Sequence, residues 1–313
     1  MKKDTLWINL LESKRFTELS LYPEKLSEII TAQDPEWVVI DEVQRIPILL
    51  DTVHNHIEKS GTKFDLLNAL RWGTLPRILS LAKEEERVLF LEAYVDTYFR
   101  EEIVAEQIVR NLVPFRKFIE IAGQTNGTIV NYANIASDIG IDPKTVKSYF
   151  DILKDTLLGF YLPEYDRSLR RQQIKAPRFY LFDTGVTRAL TNVAHIPLGS
   201  SNEIGRCFEH FIISQMVALN HYFGRRYKFS YLATKGGAEV DVIIDRPQKP
   251  TVLVEIKSAE HIDERHLQHL LGIKRDYPKL EYCCLCREAE VREVDGIKIM
   301  PWVEGMKYLG LTE

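Results

Sequence analysis

The sequence predicts an α/β protein that is organised as a series of successive units. Strand-like and helix-like runs alternate near the N-terminus, where TLWINL is followed by PEKLSEIITAQ, and they alternate again in the last third of the chain. Between these stretches the apolar residues recur at helical spacing. We therefore expect an incomplete α/β unit at 1–63, a helical segment at 64–120, a winged helix at 121–170 and an α/β core at 171–313.

The composition is that of an ordinary globular protein. Of the 313 residues, 45% are hydrophobic and 27% are charged, which excludes the disordered and fibrous classes. The net charge of −4 provides no overall field that attracts nucleic acid, so such binding requires a local basic patch. No run approaches the roughly 18 apolar residues of a membrane span, and the first residues lack an apolar signal region. These features predict a cytoplasmic protein without a membrane partner.

The first unit contains two predicted strands, TLWINL and EWVVIDEVQRIP, with the helical pattern PEKLSEIITAQ between them. The second strand ends in two adjacent carboxylates, Asp41 and Glu42. A further helical pattern, ILLDTVHNHIEKSG, follows it. This order predicts a small α/β piece with acidic residues at the end of one strand.

The winged helix is predicted from the order helix, tight turn, helix and strand pair. YANIASDIG ends at a glycine, a turn runs through Asp142 and Pro143, and KTVKSYFDILKDT forms the second helix. A strand pair around LLGFYLPEY is expected to form the wing. Lys144, Lys147 and Lys154 on the second helix are candidates for phosphate contacts, although Asp151 and Asp155 reduce their field. Packing or protein binding by this unit is an equal alternative.

A basic cluster follows the predicted wing in the stretch DRSLRRQQIKAPRFYLFDTGV. Its five cations fall within twelve residues, and they are Arg167, Arg170, Arg171, Lys175 and Arg178. Such a cluster is the best local candidate for a contact with a phosphate backbone. The alternative is a solvated loop.

The C-terminal core is predicted as a helix, three strands, a second helix and a further strand. The first helix carries Glu209 among apolar positions, and the neighbouring strands EVDVIID and TVLVEIK carry Asp241 and Glu255. If these strands are adjacent in one sheet, the three carboxylates can converge and bind Mg²⁺ or Mn²⁺. Lys257 shares a strand face with Glu255 and is a candidate to orient or deprotonate a water and to stabilise phosphate charge.

A simpler interpretation of these residues is a structural one. Lys257 and Glu239 would then form a salt-bridged cluster with Asp241 and Glu255, and no metal would be involved.

The spacing of AEVD and EIK resembles the PD-(D/E)XK nuclease-like motif. Asp241 matches the first acidic position of the motif, and thirteen residues separate it from Glu255. Glu255 and Lys257 match the (D/E)XK pair, and Glu209 matches the acidic residue of the first helix. The resemblance implies a restriction-endonuclease-like core with a divalent metal at the carboxylates and catalysis by Asp241, Glu255, Lys257 and Glu209. Many such domains bind without cutting. Val240 stands where the motif's name has proline.

A wider resemblance, to prokaryotic AAA-type ATPase-like proteins with a C-terminal domain of unknown function, covers almost the whole chain. It rests on seven segments in order: LWINLLE, WVVIDEVQRIP, LLNALRWGTLPRIL, TVKSYFDILKDTLL, FYLFDTGV, FEHFIISQM and GGAEVDVIIDR with VEIKS. The resemblance implies ATP as a cofactor, with Asp41 and Glu42 as the Walker B pair. The sequence departs from the family because it contains no Gly-Lys dipeptide and hence no P-loop, and because the sensor region after the second strand is missing. We therefore expect the chain to begin after the P-loop and not to hydrolyse ATP by itself.

Three functions are consistent with these patterns. The first is a truncated ATPase-like protein whose winged helix and nuclease-like core bind or cleave DNA or another nucleic acid. The second is an ATP-binding regulator whose C-terminal domain recognises protein, with a partner chain or the full-length ancestor supplying the P-loop. The incomplete ATPase unit also predicts a protein partner or a homo-oligomer that covers it. The third is a decayed product without activity.

Overall fold

The computed structural model describes residues 5–35, 37–46, 48–49, 52–53, 65–105, 112–166, 175–233 and 239–312. The chain divides into two compact units, Met1–Asp65 and Leu66–Glu313. Helices and strands in mixed sheets confirm the predicted α/β class.

The first unit contains a parallel pair of strands, β1 (Thr5–Asn9) and β2 (Trp37–Asp41). Two helices, α1 (Ser13–Leu21) and α2 (Lys25–Gln33), connect them. Successive strand side chains point to opposite faces, so one face of β1 is buried while Trp7 on the other face is 61% exposed. The small core of this unit consists of Leu6, Ile8, Leu10, Leu19, Leu26, Ile30, Ile46 and Leu49.

The second unit begins with the predicted run of helices, α3 (Leu66–Trp72), α4 (Pro76–Leu79), α5 (Glu84–Ala105) and α6 (Leu112–Gln124). A short helix, α9 (Thr184–Leu190), packs closely against α3. A Cβ atom on Gly185 would lie 2.0 Å from the carbonyl oxygen of Trp72, so this approach requires glycine. Two of the segments behind the family resemblance, RWGT and FDTGV, therefore meet inside this unit.

The two helices of the winged-helix plan are present as α7 (Tyr132–Ile139) and α8 (Pro143–Asp155). α7 ends at Gly140, whose φ of +81° is accessible to glycine without strain. α8 begins with Pro143 at its first position, and the Asp142 carboxylate accepts hydrogen bonds from the next two free amides. The local sequence thus specifies where both helices begin and end.

The strand pair predicted around LLGFYLPEY has its first strand in that segment and its second strand later in the chain. β3 (Gly159–Leu162) pairs antiparallel with β4 (Arg178–Leu181). Residues 163–165 do not turn back to form a hairpin. They stay extended and bond to Tyr231, through the Tyr165 amide at 2.7 Å and the Pro163 carbonyl at 2.9 Å. The strand pair therefore crosses the expected boundary between 170 and 171.

The C-terminal core follows the predicted order of helix, three strands, helix and strand. Its elements are α10 (Ser201–Tyr222), β5 (Lys228–Ala233), β6 (Glu239–Asp245), β7 (Val252–Ile256), α11 (Glu264–Asp276), β8 (Glu281–Cys286), β9 (Arg292–Val294), β10 (Ile297–Pro301) and α12 (Trp302–Leu309). The strands form one sheet in the order β5-β6-β7-β8-β10-β9, with antiparallel pairing from β5 to β7 and parallel pairing from β7 through β8 to β10.

Apolar side chains cover both faces of this sheet. Phe208 and Ile212 of α10 share one buried cluster with Val254 of β7, whereas Leu267 of α11 shares another with Leu253 of β7. The central strand β7 is therefore buried along its whole length. Among the helices of the described ranges, none combines the length and the hydropathy needed to cross a bilayer.

A candidate acidic site on the C-terminal sheet

Three carboxylates from separate elements come together beside the C-terminal sheet. Glu209 lies on α10, Asp241 on β6 and Glu255 on β7, and Lys257 lies directly after β7. We call Glu209, Asp241 and Glu255 the acidic cluster. The charge of Asp241 raises the pKa of both glutamates, so the three side chains interact electrostatically.

Asp241 lies where the pairing between β6 and β7 ends. The paired register runs from Ile244 to Val242 on β6, and Asp241 is the next residue. Its Oδ2 atom accepts a hydrogen bond of 2.7 Å from the Ile256 amide. The side chain thereby takes the place of a backbone partner beyond the paired register, and only 9% of the surface of Asp241 is exposed.

Glu255 is the most buried member of the acidic cluster, at 5% exposure. Its Oε1 atom lies 2.6 Å from Lys257 Nζ, which confirms the predicted pairing of residues two apart on one strand face. Its Oε2 atom is buried and has no hydrogen-bond partner among the described residues. Burial, followed by the charge of Asp241, raises the pKa of Glu255 to about 8, although Lys257 opposes the shift.

Glu209 receives two donors on the same oxygen. Its Oε1 atom accepts a hydrogen bond of 2.7 Å from the Tyr180 hydroxyl and one of 3.3 Å from Arg178. Burial and the charge of Asp241 raise the pKa of Glu209 to about 7, and Arg178 lowers it.

Arg178 is placed differently from its prediction as part of a basic cluster that contacts phosphate. Its side chain is only 7% exposed, and its guanidinium forms ion pairs with Glu209 and Glu239. The guanidinium also lies 4.7 Å from the centre of the Tyr231 ring. The alternation of strand side chains places Arg178 and Tyr180 on the same face of β4, so both reach Glu209. In the sequence, this contact could have been predicted from the spacing of Arg178 and Tyr180, because residues two apart on a strand share one face.

The alternative of a purely structural salt-bridged cluster is only half matched. Lys257 pairs with Glu255 as that interpretation requires, but Glu239 pairs with Arg178 and not with the acidic cluster.

The residues of the acidic cluster fit a divalent cation in chemistry but are not arranged around one. Carboxylate oxygens are the ligands that Mg²⁺ and Mn²⁺ prefer. Glu255 Oε2 is buried, has no hydrogen-bond partner among the described residues, and could act as a metal ligand. Within the described ranges, however, no three His, Cys, Asp or Glu side chains are grouped so as to hold a metal ion. The reason is visible in the contacts, because Arg178, the Ile256 amide and Lys257 each hold a different member of the cluster.

Asp183 is a second buried carboxylate in the same unit, and its contacts are those of a structural residue. Asp183 is 5% exposed, and its oxygens accept hydrogen bonds from the amides of Val186 and Thr74 at 3.0 and 2.7 Å. Both of its oxygens are therefore occupied by backbone donors. Glu255 differs because one of its oxygens has no donor among the residues that the structure describes.

The predicted nucleic-acid contacts are only partly described. Lys144 is exposed at the first turn of α8. Lys147 forms an ion pair of 2.8 Å with Asp151, and Lys175 pairs with Glu164 at 2.6 Å. A phosphate would have to compete with these carboxylates for both lysines. Arg167, Arg170 and Arg171 lie outside the described residues.

The predicted Walker B pair lies at the end of β2. Asp41 is exposed, and its backbone carbonyl accepts a hydrogen bond from Leu10. Glu42 follows in a left-handed conformation with φ of +59°. Because the sequence has no P-loop, the phosphates of ATP would lack their main ligands at this strand end.

Comparison with known proteins identifies two domain models. A domain of unknown function (DUF8612) matches residues 63–195, and a second one (DUF4143) matches residues 204–304. The second match confirms the expected C-terminal domain of unknown function, which is a kind often found with AAA ATPases. It contains the entire acidic cluster, whereas β4 with Arg178 falls within the first match.

Similar curated proteins are Uncharacterized protein Rv2008c of Mycobacterium tuberculosis and Uncharacterized protein Mb2031c of Mycobacterium bovis. Each is 21% identical over 182 residues, which cover 57% of this chain and 40% of the relative. The chain therefore spans less than half the length of these curated relatives. No solved structure matches the chain significantly.

Proposed function

We propose that the C-terminal domain binds Mg²⁺ or Mn²⁺ at the acidic cluster and, together with the winged helix, binds or cleaves nucleic acid. One observation carries this proposal. Three carboxylates that are far apart in sequence lie at one end of a buried sheet, and one of their oxygens has no hydrogen-bond donor in the part of the chain that the structure describes.

Gathering these carboxylates is costly for the fold, which favours a functional explanation. Burial and mutual repulsion raise the pKa of Glu209 to about 7 and that of Glu255 to about 8, so near neutral pH the cluster readily takes up positive charge. A proton or a cation can provide that charge. Carboxylates with raised pKa values and a specific charged neighbour are typical of functional sites.

The residues of the cluster have distinct proposed roles. A bound divalent cation would polarise a phosphodiester oxygen and make a bound water more acidic. Lys257 has a raised pKa despite its burial, because Glu255 and Asp241 are close, and it therefore remains a cation. Of the two roles considered for it, charge stabilisation on phosphate is favoured over deprotonation of water. Glu255 can hold or release a proton at Oε2 near neutral pH.

Calorimetric titration with Mn²⁺ tests the metal site directly. The wild type is expected to bind Mn²⁺ at pH 8, and the Asp241→Asn/Glu255→Gln double variant is expected to lose that binding. Asp245→Asn is the matched control, because Asp245 lies on the same strand and its carboxylate accepts a hydrogen bond from Thr251 outside the cluster. Equal binding by the wild type and the double variant, or no binding by any of the three proteins, would contradict the proposal.

Nucleic-acid binding by the winged helix is tested separately. A Lys144→Glu/Lys147→Glu variant is expected to reduce the mobility shift of a DNA duplex, since reversing both charges replaces attraction by repulsion. Lys228→Glu, at the exposed start of β5 and outside the winged helix, is the control for a change of surface charge. An equal mobility shift of the DNA by the wild type, the double variant and the control variant would contradict nucleic-acid binding by this helix.

A second candidate function is favoured by the match to a domain often found with AAA ATPases. On that proposal the chain is a regulator that works with nucleotide, and a partner supplies the P-loop. Binding of ATP by a mixture of the chain with such a partner, together with absence of Mn²⁺ binding, would favour this function over the first.

A further inference from the structure

We propose that two turns at one end of the C-terminal sheet form a binding surface for an acidic peptide segment of a partner protein. Three cations define this surface, which we call the basic end of the sheet. Arg225 and Arg226 lie in the turn between α10 and β5, and Lys249 lies in the turn between β6 and β7. Asp241 lies at the other end of β6, so the inference goes beyond the proposed metal site and does not depend on it.

The register of the sheet brings the two turns together. Lys228 at the start of β5 lies opposite Asp245 at the end of β6, so both turns project from the same end of the sheet. They also approach a common point beside α12. A Cβ atom on Gly310 would lie 3.0 Å from the Tyr227 hydroxyl and 3.5 Å from Lys249 Nζ. Cations from two separate turns therefore share one surface.

Hydrogen bonds from buried side chains fix the backbone of both turns. Asn220 Oδ1 accepts a hydrogen bond of 2.9 Å from the Tyr227 amide, and Asn220 Nδ2 donates one of 3.2 Å to the Tyr227 carbonyl. The Arg246 guanidinium donates to the Pro250 carbonyl at 2.8 and 3.0 Å. Because neither turn has to be ordered when a ligand arrives, this arrangement lowers the entropic cost of binding.

The charge of the basic end is not neutralised by the chain. None of its three cations forms an ion pair within the described ranges, in contrast to Lys147 and Lys175. Arg226 and Lys249 are exposed, and Arg226 has a left-handed φ of +58°, which is uncommon for a residue with a side chain. The Nε atom of Arg225 is buried without a hydrogen-bond partner among the described residues. The surface is therefore suited to an anionic ligand.

The surroundings of the basic end favour an acidic peptide over a nucleic acid. Carboxylates border the surface, since Asp245 lies opposite Lys228 and Glu281 is 2.7 Å from Arg246. A phosphate backbone carries negative charge along its whole length and would meet these carboxylates. A peptide can place a few aspartates or glutamates at the cations and uncharged residues at the border, which gives complementary charge across the interface.

Fluorescence anisotropy with a labelled hexaglutamate peptide tests this inference. The wild type is expected to bind the probe, and added salt is expected to weaken the binding. Arg226→Glu/Lys249→Glu is expected to lower the affinity about tenfold, because two attractive charges become repulsive. Arg116→Glu/Lys117→Glu is the matched control, since both residues are exposed on α6 and the change of net charge is the same.

The outcomes are decisive in either direction. Loss of affinity in Arg226→Glu/Lys249→Glu but not in the control supports the proposal. Equal affinities of the three proteins, or no binding of the peptide by the wild type, would overturn it. A DNA duplex that binds more tightly than the peptide, and that the same double variant releases, would assign the surface to nucleic acid instead.

Two further variants keep the test independent of folding and of the metal site. If the charge-reversal variant does not fold, Arg226→Gly/Lys249→Gln decides, because glycine accepts the left-handed φ. This milder variant is expected to lower the affinity about threefold. Asp241→Asn/Glu255→Gln is expected to bind the peptide as the wild type does, so that failure of either proposal is recognised by itself.

Discussion

Strands in both units of this chain carry acidic residues, and the environments of these residues are opposite. Asp41 at the end of β2 is exposed, beside a two-stranded sheet with one buried face. Asp241 and Glu255 lie on neighbouring strands of a six-stranded sheet that is covered on both faces, with exposures of 9% and 5%. A similar sequence pattern thus gives hydrated carboxylates in one unit and buried, mutually repelling carboxylates in the other.

The difference shows that the surrounding sheet, and not the acidic strand end, creates unusual chemistry. Repulsion between carboxylates is weak in water and strong in a buried site, because the effective dielectric constant is lower there. The six-stranded sheet supplies the burial and the neighbouring helix α10 supplies Glu209. The two-stranded sheet leaves Asp41 in solvent.

The largest expected effect concerns the two sheets themselves. Leu253→Ala in the central strand β7 is expected to lower the free energy of unfolding by about 2–5 kcal/mol, because it leaves a cavity between the sheet and α11. Trp7→Ala on the open face of β1 is expected to change it by less than about 0.5 kcal/mol. Urea unfolding followed by circular dichroism measures both. Similar losses for the two variants would contradict the contrast between a covered and an open sheet.

The next effect is the pH dependence of stability without metal. Folding raises the pKa of Glu255 from 4.5 to about 8, so between these values the folded protein holds a proton that the unfolded chain has released. Stability is therefore expected to fall as the pH rises from about 5 to about 8.5, by on the order of a few kcal/mol.

Thermal unfolding across this pH range measures the effect. Glu255→Gln cannot ionise and is expected to flatten the dependence, whereas Asp41→Asn at the exposed strand end is expected to leave it unchanged. A dependence that Glu255→Gln does not alter would show that burial of Glu255 has no energetic consequence.

The smallest effect compares one ion pair from each unit. Lys257→Met removes the cation that lies 2.6 Å from the Glu255 carboxylate and is expected to cost about 1–2 kcal/mol at pH 8.5. At pH 5.5 the cost is expected to be smaller, since Glu255 is then protonated.

Lys25→Met in the first unit is the control for this pair. Lys25 lies 3.2 Å from Glu18, with side chains 43% and 34% exposed, and its loss is expected to cost less than about 1 kcal/mol at either pH. Chemical unfolding at the two pH values measures both variants. Equal costs for Lys257→Met at pH 5.5 and 8.5 would contradict the assigned state of Glu255.

The sequence by itself determined the features that depend on neighbouring residues. Helical spacing predicts α10 and α11, Asp142 and Pro143 predict the start of α8, and spacing by two residues predicts the pairing of Glu255 with Lys257. The order of helix, three strands, helix and strand in the C-terminal core was also predictable, because apolar residues recur with different spacing in helices and strands. The absence of a P-loop needs no structure at all.

Only the tertiary structure decided which distant residues meet. The partner of β3 is β4, and not a strand within the next few residues, because residues 163–165 bond to Tyr231. The same pairing turns Arg178 from a predicted phosphate contact into the buried partner of Glu209. Periodicity reports which face of an element is apolar, but it does not report what covers that face. The burial that raises the pKa of the glutamates and the arginine that holds one of them both depend on contacts between remote segments.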